Sequence, residues 1–116
     1  MNPAEQRRSL ARLQHVAAMI LDREMAGLRA ANLAREASEA RLADLAKPMP
    51  TVSLDPVMAA LTEIRWQRWA DRRRAEINLQ LARQIVECEH MRDRACHAFA
   101  RTEVLRRLSG DKDPQS

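Results

Sequence analysis

The sequence predicts an all-α chain in which two long helices form an antiparallel coiled-coil hairpin, and three observations predict it. Four of the five prolines are Pro3, Pro48, Pro50 and Pro56 and the fifth is Pro114, so Ala4–Lys47 and Val57–Ser109 contain none. Proline lacks an amide hydrogen and clashes with the preceding turn, so helices end near it. Ala, Leu, Arg and Glu dominate the composition while Tyr is absent and Phe occurs once, the bias of coiled coils and long helices. Two glycines in 116 residues leave almost no material for tight turns or phosphate-cradling loops. The apolar β-branched residues are scattered and never alternate, so no strand is predicted.

The first helix is predicted over residues 3–47. Asn2-Pro3-Ala4-Glu5 supplies an N-cap, a proline at the first helical position and a glutamate three residues after the cap. Leu10, Leu13, Ala17, Ile20, Leu21, Met25 and Leu28 follow at steps that hold one apolar stripe. The stripe then thins to Ala30, Ala31, Ala34, Ala37 and Ala40 before Leu42 and Leu45. Residues 48–55, with Pro48, Pro50 and Ser53, are the predicted loop.

The second helix is predicted over residues 56–109. Asp55-Pro56 repeats the cap-then-proline signal, and Ser109-Gly110 supplies the stop. Its apolar stripe is read as Ile77, Leu81, Ile85, Cys88, Met91, Ala95, Phe99, Thr102 and Leu105. The first third differs, carrying Val57, Leu61, Ile64, Trp66 and Trp69 before Arg72-Arg73-Arg74. At about 1.5 Å per residue the helices would be on the order of 65 and 80 Å long, so part of the second overhangs the first. Residues 110–116 read as a short disordered tail, and the whole as one hairpin domain spanning 1–116. A two-helix rod of this kind buries little, which predicts marginal stability or further assembly.

The net charge is +4, split as about +2 on the first helix and about +4 on the second. No apolar run is long enough to span a bilayer, and the first apolar residues are interleaved with Arg7, Arg8 and Arg12, unlike a signal peptide. Cys88 and Cys96 lie eight apart on one helix, about 12 Å by helical rise, too far for an internal bridge. They read as reduced thiols of a cytoplasmic chain.

Trp66 and Trp69 are three apart and share one face near the loop. Two readings stand side by side: they cap the apolar seam at the turn, or they anchor a partner, since Trp is enriched in binding hot spots. Arg65, Arg68 and Arg72 lie on one helical face with Arg73 and Arg74 alongside, a basic stripe interrupted by Glu63, Asp71 and Glu76. It reads as a face for solvent or an acidic protein rather than for nucleic acid. His90, Asp93 and His97 cluster on the wheel but lack equivalent ligands from a facing helix, so no metal is predicted. No paired-carboxylate cleft, glycine loop or activated nucleophile is legible, so neither an enzyme nor a cofactor or small-molecule substrate is expected.

The opening stretch, Leu10-Ala-Arg-Leu-Gln-His-Val-Ala-Ala-Met-Ile-Leu-Asp-Arg-Glu-Met-Ala-Gly-Leu28, resembles the N-terminal region of FliJ-type flagellar export proteins and their SctO (YscO) counterparts in virulence secretion. Those proteins are similar in architecture to the paired helices of a rotary ATPase central stalk. The resemblance implies a coiled-coil stalk or adaptor of a bacterial flagellar or type III export apparatus. Its terminal end would enter the export ATPase, a surface nearer the loop would contact the export-gate protein, and chaperones would be further partners. Trp66 and Trp69, with Leu42 and Leu45 across the hairpin, occupy the region corresponding to the gate-contacting surface. Two other classes remain open: a homodimeric or bundled coiled-coil scaffold, and a small basic nucleic-acid-binding protein acting through Arg65–Arg74.

Overall fold

The computed structural model describes residues 2–48 and 55–110. The chain is an antiparallel coiled-coil hairpin of two helices, α1 (Pro3–Leu45) and α2 (Pro56–Leu108), with no strand among the described residues. Most of the expected loop (49–54) and of the expected tail (111–116) lies outside the described residues.

The helix starts follow from their caps. Asn2 Oδ1 accepts the Glu5 amide at 2.8 Å, and Asp55 Oδ1 accepts the Met58 amide at the same distance. In both cases the following proline sits at the first helical position, where its missing N–H leaves nothing unpaired. α1 ends at Leu45, two residues short of the expected Lys47. The Ala46 and Lys47 amides bond back to the carbonyls of Ala43 and Asp44, which tightens the last turn. Pro48 then disfavours helical geometry at Lys47. α2 ends at Leu108 rather than Ser109, and Gly110 takes the left-handed φ of 79° that closes the helix. In the last turn Arg106 donates to Glu103 at 2.9 Å and holds that carboxyl below the usual carboxylate range.

The chain divides into two compact units, one of residues 1–31 with 87–116 and one of residues 32–86. In the terminal unit the helices run antiparallel: Gln14 reaches the Leu105 carbonyl, Glu24 pairs with Arg94, and Gly27 faces Met91. Leu10, Gln14, Ala17, Leu21, Glu24, Leu28 and Ala31 run along the covered side of α1 there in steps of four and three, with Ser9, Ile20 and Gly27 partly covered beside them. Cys88, Met91, Ala95, Ala98, Thr102 and Leu105 answer them from α2 with the same alternation. In the loop-side unit Ser38 donates to Gln84 at 2.6 Å and Arg41 to Gln80 at 3.3 Å, again antiparallel. Arg35, Ser38, Leu42 and Leu45 face Ala70, Arg74, Ile77, Leu81 and Gln84 in that unit.

This seven-residue alternation corrects the sequence-derived stripes, whose alanines Ala30, Ala34, Ala37 and Ala40 are exposed. Leu13, Met25, Ile85 and Phe99 are exposed, and Gln14, Glu24, Gln84 and Ala98 hold the seam instead. A coiled-coil seam repeats every 3.5 residues and drifts about 20° per heptad relative to a straight helix. Reading the largest apolar residue nearest a fixed face therefore selects a neighbour of the true seam position. Among the described residues the buried ones are Ala17, Ala70, Ala95, Ala98, Ile77, Cys88 and Ser38, so small side chains dominate and Ile77 alone is large. Small contact residues let two helices approach closely. The polar seam positions are matched: Ser38, fully buried, has its hydroxyl bonded to Gln84 Oε1, and Glu24, with a side chain only 12% exposed, accepts Arg94 Nη2 at 2.9 Å.

Two stability outcomes follow from these contacts. A Cβ on Gly27 would meet only the terminal methyl of Met91, the far end of a flexible side chain. The Gly27→Ala variant should therefore gain most of the helix-propensity difference, about 0.5–1 kcal/mol, read as a higher urea midpoint. A lower midpoint would show that the Met91 tip has no other place to go. Glu24 and Arg94 should respond unequally. Arg94→Ala leaves a mostly covered carboxylate without its partner and should cost about 1–2 kcal/mol, whereas Glu24→Leu restores an apolar seam position and should be neutral or stabilising. Equal losses in the two variants would contradict this asymmetry.

Candidate partner-binding site

α2 has 53 residues and α1 has 43, and the first turns of α2 are mostly exposed. From Asp55 to Leu61 every residue is exposed, and Ala70 is the first buried one. Trp66 and Trp69 sit at this transition. Because they are three apart on a helix they become neighbours, and their ring centroids lie 5.1 Å apart with planes tilted by 34°. That spacing and tilt fall within the range of favourable aromatic pairs.

The two indoles have different surroundings. Trp66 is half-buried and lines a hollow with Leu45, Pro48, Ala70 and Arg74, the place where the end of α1 meets α2. It closes the seam, as the capping reading requires. Trp69 stacks on the outer side of Trp66 and is 46% exposed. The pair is thus one indole held by the fold and a second indole presented by the first. Of the leucines singled out with them, Leu45 borders the Trp66 hollow, while Leu42 is a half-buried seam residue one turn away. The sequence pattern missed Pro48 and Arg74 as neighbours of Trp66. Arg74 was legible in principle, since 66, 70 and 74 follow one another at steps of four along the covered side of α2.

Arg65, Arg68 and Arg72 are brought together as expected: all three are exposed and line one surface hollow with Asp71. Asp71 is bonded to Arg74 at 2.9 Å, and Arg73 to Glu76 at 3.1 Å. These two ion pairs run along the helix between exposed groups and contribute little to stability. Arg65, Arg68 and Arg72 make no ion pair among the described residues, so their guanidiniums stand available on a helix surface. Cys88 is a buried seam residue and Cys96 is exposed, both as free thiols. Among the described residues no three His, Cys, Asp or Glu side chains converge to hold a metal ion, and no helix is long and apolar enough to cross a membrane.

The unequal cover of the indoles gives a spectroscopic outcome. With Trp69 as the sole indole (Trp66→Phe), emission should lie further to the red and be quenched more strongly by acrylamide than with Trp66 as the sole indole (Trp69→Phe). Identical quenching would show that the fold does not distinguish them. Neither a protein-family model, nor a curated protein, nor a solved structure matches this chain.

Proposed function

We propose that the chain is a non-enzymatic coiled-coil stalk or adaptor of a bacterial flagellar or type III protein-export apparatus, engaging the export ATPase and the export gate. One observation carries this reading: an antiparallel coiled-coil hairpin with too few large seam residues to hide a second indole leaves Trp69 on its surface in the loop-side unit. The likeness of Leu10–Leu28 to the opening of FliJ-type proteins supports the same reading. An exposed Trp contributes a large apolar contact area and loses few rotamers on binding. Trp69 packs against Trp66, which borders the same hollow as Leu45.

Copurification from a bacterial cytoplasm followed by mass spectrometry tests the proposal. The tagged full-length chain should recover an export ATPase or an export-gate subunit. The Trp69→Ala variant should keep its helical circular dichroism and lose about tenfold or more of the gate subunit, the effect of removing a hot-spot side chain. Recovery of neither protein by the unaltered chain would overturn the export reading.

A further inference from the structure

The side of α2 turned away from the seam carries an apolar line whose spacing reads the same in both directions. From Val57 to Val86 its members step by 4, 3, 4, 7, 4, 3 and 4 residues, and its midpoint falls between Asp71 and Arg72. Folded about that midpoint, the line sets Val57 against Val86, Leu61 against Ala82, Ile64 against Leu79 and Arg68 against Ala75. All of these residues are exposed, with Val57, Leu79 and Val86 more than half so, and all belong to the loop-side unit. At about 100° per residue they fall within roughly 60° of one another, on the far side of the helix from Ala70 and Ile77. That is the width and step of a coiled-coil seam, yet α1 covers none of it.

We infer that this face is a self-docking seam, along which α2 of a second copy lies antiparallel about a two-fold axis passing between Asp71 and Arg72. A two-fold interface requires a surface complementary to itself, whereas an unrelated partner imposes no such symmetry on the line.

Charge and size select the same occupant and the same direction. The axis sets Asp71 of each copy against Arg72 of the other, giving two ion pairs at the centre. Arg72 makes no ion pair among the described residues. Asp71 is bonded to Arg74 at 2.9 Å, and its two oxygens have capacity to accept Arg72 of the second copy as well. A parallel copy in register would instead set Arg68 against Arg68, Asp71 against Asp71 and Arg72 against Arg72. In the antiparallel mode a large residue meets a small one at two levels. Ala82 leaves room for Leu61, and Ala75 leaves room for the stem of Arg68, whose charged head can reach the edge. The line also ends in register with the copy. Val86 meets Val57 just inside the helix start at Pro56, and beyond Val86 the same line turns polar with Glu89, His90 and Asp93.

The magnitude follows from the dimensions. Val57 to Val86 spans about 44 Å, and a helix offers a contact strip about 10 Å wide, so the footprint is on the order of 450 Å² per copy. This is well below the ~800 Å² per side of a stable complex. Residues 57–86 also hold six arginines against Glu63, Asp71 and Glu76, so each copy brings an excess positive charge that limits affinity further. The dimer should therefore be weak and rapidly reversible. Trp69 lies about 110° round the helix from the middle of the line, with Arg65 and Arg72 between, and so stays outside the contact. The inference does not rest on the export reading.

Sedimentation of the purified full chain over a concentration series tests it. The chain should show a monomer–dimer equilibrium with a Kd on the order of 100 μM. Leu79→Glu, at an exposed position, should keep the helical circular dichroism and weaken the dimer by about tenfold or more. Asp71→Arg alone and Arg72→Asp alone each set like charges together across the axis and should also weaken it. An equal mixture of those two variants should form a heterodimer. The chain carrying both Asp71→Arg and Arg72→Asp should dimerise by itself, an outcome that a parallel pairing forbids. Trp69→Ala should leave the equilibrium unchanged. A chain that stays monomeric up to about 1 mM would overturn the inference. So would a dimer untouched by Leu79→Glu, one lost in Trp69→Ala, or a double charge swap that fails to restore pairing. Capture of an acidic amphipathic peptide or of phosphatidylserine vesicles by a monomeric chain, abolished by Leu79→Glu, would give the face to another occupant and overturn it equally.

Discussion

The fold rests on a seven-residue repeat of mostly small side chains. Ala17, Ala95 and Ala98 in the terminal unit and Ala70 in the loop-side unit mark where the helices come close, and among the described residues Ile77 is the one large side chain that is fully covered. A seam of this kind gains less from apolar burial than one of leucines, at roughly 25 cal/mol per Å² removed from water. Specific contacts carry more of the definition of the structure. Ser38, Gln84 and Glu24 sit at seam positions where an unmatched polar group would be costly, and Gln84 and the flanking Arg94 match them. They stabilise modestly and specify strongly.

The same thinness governs the surface. A seam made of alanines cannot shelter two indoles, so Trp66 takes the available cover beside Leu45 and Pro48 and Trp69 is left outside. The extra length of α2 has a similar effect, because its early turns are exposed from Asp55 to Leu61. The sites proposed for partners are thus products of a core that ran out of volume.

The architecture was legible because its signals are local. Prolines, caps and a glycine stop report the helix ends within a residue or two, and the composition excludes strands. The errors have one physical origin. Leu13, Met25, Ile85 and Phe99 are conspicuous apolar residues within about 60° of a straight-helix face, but the supercoiled seam passes instead through Gln14, Glu24, Gln84 and Ala98. A polar residue at a seam looks like a break in the pattern until its partner on the other helix is known. The basic group at Arg65, Arg68 and Arg72 was legible, since spacing on a single helix determines it. The division of roles between Trp66 and Trp69 was not, because it depends on where α1 ends.

The Glu24–Arg94 contact also makes the pairing of the terminal unit directional. If α2 slid by one heptad so that position 87 replaced position 94, the mostly covered Glu24 would face a second carboxylate, Glu87, at the seam's edge. A slide of the same length the other way would present Arg101, which already borders the same hollow as Glu24 and Arg94. One direction of travel meets electrostatic repulsion, while the other finds a substitute cation waiting. Under axial load this pair of helices would behave less like a zip than like a pawl, yielding one way and holding the other.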